Sequence, residues 1–158
     1  MKKLVVFYSY TGNTKMIANM IKDRIDCDIL ELIPKIPYST DYQTVVDEEQ
    51  NSSSKDKVRE YENVNIRIDD YDEIIVGSPV WWYSCVPIIR TFLKNNDLSN
   101  KIIKAYATNA GWLGHTFNDI KKLTNDNVDC MNIVFDTDYN SHKLVTDITE
   151  IEKWIDTL

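Results

Sequence analysis

Two hydrophobic periods alternate along this chain. Near the N-terminus an unbroken apolar run, Leu4 to Tyr8, gives way at once to small hydroxyl and amide residues around Gly12. Ile17, Met20, Ile21 and Ile25 then recur at helical spacing. The pattern predicts a buried strand over residues 2–8, a tight turn and an amphipathic helix over 14–25. Residues 27–33 alternate and read as a second strand, closed by Pro34 and Pro37, which cannot donate to a ladder. The run Glu73-Ile-Ile-Val76 is short and β-branched, as expected of a central third strand buried on both faces. Residues 77–87 read as a loop. Pro87 suits the first turn of a helix with Ile88, Ile89, Phe92 and Leu93 on its buried side. A fourth strand over 101–107, a loop over 108–114 and a helix carrying Phe117, Ile120 and Leu123 follow. Residues 128–135 form a fifth strand whose polar residues suggest an edge, and 144–158 a closing helix with Ile148, Ile151, Ile155 and Leu158 on one face. Between 38 and 70 the pattern is weak. There, 41–47 and 55–63 read as helical pieces with a break at 51–54.

Five strands alternating with helices predict an α/β fold: a doubly wound five-stranded parallel sheet, order 2-1-3-4-5, in a three-layer sandwich with right-handed crossovers. No repeat and no linker divides the chain, so residues 1–158 are expected to form one domain. The four glycines, Gly12, Gly77, Gly111 and Gly114, all follow the first, third or fourth strand. That is the carboxyl edge of the sheet, around the switch point where such folds bind ligands.

Composition narrows the function. Apolar content of 43% and charged content of 27% are those of a globular protein. No apolar run approaches the ~20 residues that span a bilayer, and Leu4 to Tyr8 is too short for a signal-peptide core. A cytoplasmic location is expected. The three cysteines, Cys27, Cys85 and Cys130, form no Cys-x-x-Cys pair, which points to reduced thiols rather than a disulfide framework or a zinc site. With 18 basic and 25 acidic residues the net charge is −7, which argues against nucleic acid. It is compatible with basic protein partners, and equally with solubility alone.

The first loop carries the clearest chemistry. Ser9, Tyr10, Thr11, Gly12, Asn13 and Thr14 offer backbone N–H groups and three aliphatic hydroxyls at the positive end of a helix, a place suited to phosphate. There is no G-x-x-x-x-G-K-[ST] and no G-x-G-x-x-G. Lys15 follows the loop, and a solvated helix position explains it as well as a phosphate contact does. Trp81, Trp82 and Trp112 fall in the later loops and could form a planar apolar slot, or pack beneath the loops as core. His115 begins the fourth helix near the third loop as a candidate acid, base or ligand neighbour, or as a capping or solvent-facing residue. Cys85 reads as a small buried filler with nothing basic beside it. His142 is expected to be exposed and remote from the motifs. Asp136, Asp138 and Tyr139 reach the same edge without a metal-ligand pattern.

Ser-x-Thr-Gly-Asn-Thr directly after the first strand resembles the FMN-phosphate loop of the flavodoxins. Tyr71 to Trp82, with Gly-Ser-Pro-Val-Trp-Trp at its end, resembles the second flavin loop of a bacterial flavodoxin branch. Residues 37–42, with Glu48 or Glu49 downstream, are similar to that branch's segment after strand 2, and Thr108-Asn-Ala-Gly111 to its third loop. The resemblance covers nearly the whole chain. It implies non-covalent FMN held by the first loop, by Pro79, Val80, Trp81, Trp82 and Tyr83, and by Thr108, Asn109, Ala110, Gly111 and Trp112. It implies an electron carrier, monomeric or weakly dimeric, that meets a reductase and acceptors with basic patches and needs no catalytic side chain. An NAD(P)H-dependent FMN or quinone reductase on the same fold is the alternative, and a flavin-binding module without turnover a third reading. Tyr83 stands where resembling sequences often have glycine. Because a bulky residue resists φ > 0, this chain is expected to accumulate less of the one-electron-reduced flavin.

Overall fold

The computed structural model describes residues 1–50 and 57–158. The strands are β1 (Lys3–Phe7), β2 (Asp28–Glu31), β3 (Glu73–Trp81), β4 (Ser84–Cys85), β5 (Ile102–Asn109) and β6 (Asp129–Val134). The helices are α1 (Asn13–Arg24), α2 (Tyr42–Glu48), α3 (Pro87–Asn95), α4 (Thr116–Leu123) and α5 (Ile148–Ile155). Five strands run parallel in the order β2-β1-β3-β5-β6, and β4 pairs antiparallel with β3. The parallel order is the expected 2-1-3-4-5, and the short hairpin arm β4 is the addition.

Side chains on successive residues of β1 point to opposite faces, which explains why its run is apolar throughout. Leu4 and Val6 join Ile74, Val76 and Ile103 beneath α3 and α4, where Phe92 and Ile120 are fully buried. Val5 and Phe7 join Ile75, Tyr106 and Ile133 beneath α1 and α5, packed on Ile17, Ile21, Ile151 and Trp154. The molecule is thus three layers around one sheet, with its loops gathered at the two sheet ends.

Three expectations are corrected. The third strand does not stop at Val76 but runs to Trp81: Gly77, Ser78 and Pro79 pair with Tyr106, Ala107 and Thr108 of β5. A proline is tolerated there because β1 ends opposite Gly77, leaving that edge of β3 without a partner needing its N–H. The closing helix starts at Ile148, not 144. Leu144 instead bridges Phe135, and Asp147 caps the helix by accepting the Thr149 N–H at 2.8 Å. Asp147 and Glu150 three residues on were the unread start signal. The described part of 55–63 forms no helix, and its Tyr61 makes an antiparallel bridge with Pro34. Lys35 and Glu62 exchange backbone bonds with Glu60 and Ile33, and the Arg59 N–H bonds Thr91 Oγ1 at 3.1 Å. Tertiary partners override a weak local pattern. The expected break at 51–54 lies outside the described residues.

Candidate functional site

The first loop closes on itself before it opens outward. Gly12 adopts φ 102° as the N-cap of α1, a left-handed conformation that glycine accepts without penalty. Ser9 Oγ accepts the N–H groups of Gly12 at 3.1 Å and Lys15 at 3.2 Å. Asn13 and Thr14 are buried, 8% and 2% exposed. Among the described residues no acceptor is bonded to the N–H of either one. Two orphan donors at the positive end of a twelve-residue helix, flanked by the N–H groups of Tyr10 and Thr11, form a ready anion cradle. Thr14 Oγ1 does not point into open space but lies 2.7 Å from Thr108 Oγ1, tying the first loop to the end of β5. Lys15 is paired with Glu31 at 2.7 Å and so is directed towards β2.

Packing beneath the loop fixes its position. Gly77 of β3 lies beside Tyr106 of β5, and any Cβ there would overlap the tyrosine ring. The space left by glycine admits a fully buried Tyr106, whose hydroxyl donates to the Thr14 carbonyl at 3.1 Å. A strand glycine therefore helps set the height of a helix terminus.

The second loop is a hairpin. Trp82 and Tyr83 connect β3 to β4 with φ 48° and 67°. Two consecutive positive φ values match the primed turn that best suits strand twist, a place where Asn-Gly is the usual pair. Tyr83 thus occupies the region that a bulky residue was expected to resist. Its support is visible: the His115 N–H bonds the Tyr83 carbonyl at 2.8 Å, and Gly114, at φ 59°, packs against it so closely that a Cβ would overlap that carbonyl. The side chain of Tyr83 is 52% exposed.

The three predicted tryptophans have different places. Trp81 is wedged edge-on among Tyr8, Tyr10 and Tyr38, with centroids 5.9, 5.8 and 5.0 Å away. It is a pillar of the core that also reaches the cavity wall. Trp82 lies half-buried on the hairpin, and Trp112 is 73% exposed above the third loop. In that loop Gly111 turns at φ 114°, its N–H held by Asn109 Oδ1 at 2.9 Å.

These loops meet around two adjoining cavities. One, of about 250 Å³, is lined by Tyr10, Thr11 and Asn13, by Pro79, Val80 and Trp81, and by Thr108, Asn109, Ala110 and Trp112. The other, of about 270 Å³, adds Trp82 and Tyr83 and shares Val80, Trp81 and Trp112. Of the predicted site residues, Ser9, Gly12, Thr14 and Gly111 shape the loops without lining either space. Sequence reasoning missed Tyr42, which lines both cavities and stacks on Tyr139 at 4.7 Å and 19°. Its signal was faint, since α2 is short and Tyr139 arrives from a loop without periodicity. His142 was also misplaced. It is exposed, but far from being remote it bonds Asn13 through Nδ1 at 2.7 Å.

A polar cluster supports the hairpin from behind. Asp119 Oδ2 accepts from Ser84 Oγ at 2.5 Å and meets His115 Nδ1 at 2.5 Å, while buried Arg90 donates to Ser84 Oγ at 2.9 Å. Serine and histidine share one carboxylate oxygen instead of bonding each other, so this is not a nucleophilic relay. Cys85 does have a basic neighbour in Arg90, contrary to expectation. Burial nonetheless outweighs it and pushes the thiol pKa up, leaving an unreactive filler. No group of three metal-ligating side chains occurs among the described residues, and no helix among them is long and apolar enough to cross a membrane.

A doubly wound α/β sheet with an anion cradle after β1 and aromatic loops at its switch point defines a binding protein for a phosphorylated aromatic ligand. The chain belongs to the flavodoxin family, whose model (Flavodoxin_4, Flavodoxin) matches residues 2–158. No curated protein is significantly similar to it in sequence. Among solved structures it is similar to a candidate flavoprotein from Bacteroides eggerthii, at 24% identity over 99% of this chain and 96% of that one, TM-score 0.77. A flavoprotein from Lactobacillus acidophilus, solved in complex with FMN, is 24% identical over 97% of each chain, TM-score 0.71. A flavodoxin from Streptococcus pneumoniae is 16% identical over 99% of this chain and 94% of that one, TM-score 0.55. At these identities the likeness is one of fold.

Proposed function

We propose that this protein binds FMN non-covalently and carries electrons between a reductase and acceptor proteins. The observation that carries the reading is the pair of unpartnered N–H groups on the buried residues Asn13 and Thr14 in the first turn of α1, where Asn13 also lines a cavity whose far wall is aromatic. These residues fit the group. A phosphate ester supplies the acceptors the two amides lack, and a flat ring fits a space walled by Pro79, Val80 and Trp112 and continuing to Trp82. Ser9 to Thr14 would hold the phosphate, Thr108 to Gly111 the polar edge of the ring, and Trp82, Tyr83 and Trp112 its faces. When bound, FMN supplies the redox chemistry. The protein binds it, orients it and surrounds it with negative charge, and no catalytic side chain is assigned. On this reading residues 1–158 act as one cytoplasmic domain, a monomer or weak dimer.

One observation favours the second reading, an NAD(P)H-dependent FMN or quinone reductase. The cavity beside Trp82 adjoins the first and shares its walls, so a second planar molecule could face the ring. The two separate in one assay. Purified protein reconstituted with FMN and given NADPH plus a quinone should consume NADPH no faster than free FMN does, and its flavin should be reduced once a flavodoxin reductase is added. Sustained NADPH oxidation without that reductase would establish the enzyme instead.

A further inference from the structure

The loop after β6 folds back to the first turn of α1 and places an imidazole beside Gly12 and the Asn13 side chain. His142 Nδ1 lies 2.7 Å from Asn13 Oδ1, and its Cε1 packs so close to Gly12 that a Cβ there would sit 3.4 Å away. The residue is held at φ 51°, an uncommon conformation for any residue with a side chain. The Ser141 N–H bonds the Asp138 carbonyl at 3.0 Å just before it. With Asn13 oriented as acceptor, Nδ1 donates to it, and no bond to Nε2 occurs among the described residues.

The cradle otherwise consists of amides and hydroxyls. Lys15 is occupied by Glu31, and the first turn of α1 carries no acidic residue. The charged groups of the histidine's own loop are Asp136, Asp138, Lys143 and Asp147, the last of them occupied in capping α5. The Asp136 and Asp138 carboxylates accept backbone N–H groups of that same loop, from Asp138 at 2.9 Å and Asn140 at 3.1 Å. From α1 the ring faces Gly12 and Asn13, neither of them charged.

We propose that His142 is a ligand-binding residue whose imidazolium supplies the cation of the phosphate cradle, making the preference for a phosphate ester over the unphosphorylated alcohol depend on pH. The proposal rests on the FMN reading. A phosphomonoester is largely a dianion above about pH 6, and an opposite charge beside an imidazole favours the protonated form. Binding then takes up a proton. The added affinity is present at the acid end of the neutral range and is lost as pH rises and the imidazole deprotonates.

The test is the dissociation constant of the apoprotein for FMN and for riboflavin, by fluorescence quenching between pH 6.5 and 8.5, in wild type and His142→Asn. Asparagine can keep a neutral donor near Asn13 and tolerates φ > 0. Wild-type affinity for FMN should fall several-fold over that range, as loss of the imidazolium's attraction for the phosphate requires. Riboflavin affinity should be flat in both proteins, which also reports that the variant is folded. FMN affinity of His142→Asn should match the wild type at pH 8.5 and lack the fall. Parallel FMN profiles in the two proteins would overturn the role of His142 while leaving phosphate recognition intact. Equal wild-type affinities for FMN and riboflavin at every pH would overturn the phosphate reading itself.

Discussion

Gly114 and Tyr83 show how single residues set the shape of the second loop. Gly114 has positive φ and no room for a Cβ against the Tyr83 carbonyl. Gly114→Ala should therefore lower unfolding free energy by about 2 kcal/mol, measured by urea denaturation; an unchanged midpoint would refute the packing argument. Tyr83 sits in the same region without glycine's freedom. Tyr83→Gly should raise stability by about 1 kcal/mol, and a fall of that size would mean that the tyrosine's contacts outweigh the strain. Which glycine matters for which reason was only half visible in the sequence. All four could be placed at the ligand edge. That Gly77 makes room for Tyr106, and Gly114 for a backbone carbonyl, depends on neighbours from other strands.

Among the elements, the parallel strands and the helices that cover them were legible because burial on both faces leaves an unbroken apolar signature. The ends were less so. β3 outruns its apolar core because β5 and β4 supply ladder partners beyond it, and α5 starts late because Leu144 is taken by a bridge to Phe135. The cradle was readable from Ser9 to Thr14, whereas Tyr42, Tyr139 and His142 reach the site through contacts that no local pattern encodes. A pH effect follows at the far side of the sheet. Tyr71, buried just before β3, donates to Asp28 of β2 at 2.7 Å. Burial, then that bond, pushes the Tyr71 pKa up to about 12. The folded value exceeds the unfolded one, near 10. The stabilisation is therefore complete below about pH 10 and lost as pH rises through the folded value. Wild type should lose stability between pH 10 and 12 more steeply than Tyr71→Phe in alkaline denaturation; superimposable curves would contradict the assignment.

For the whole molecule, a net charge of −7 should steer association with basic partners. The bimolecular rate of electron transfer from the reduced protein to a basic haem protein, followed by stopped flow, should fall steeply between 10 mM and 500 mM salt, roughly tenfold or more; a salt-independent rate would remove electrostatic steering from the account. Everything at this scale depends on how the cofactor sits. The most direct measurement is a crystal structure of the protein grown with FMN. The phosphate should lie on the N–H groups of Asn13 and Thr14, with His142 beside it and the ring against Trp82 and Trp112. A cradle filled by the protein's own side chains, or a flavin bound with its phosphate away from that turn, would contradict it.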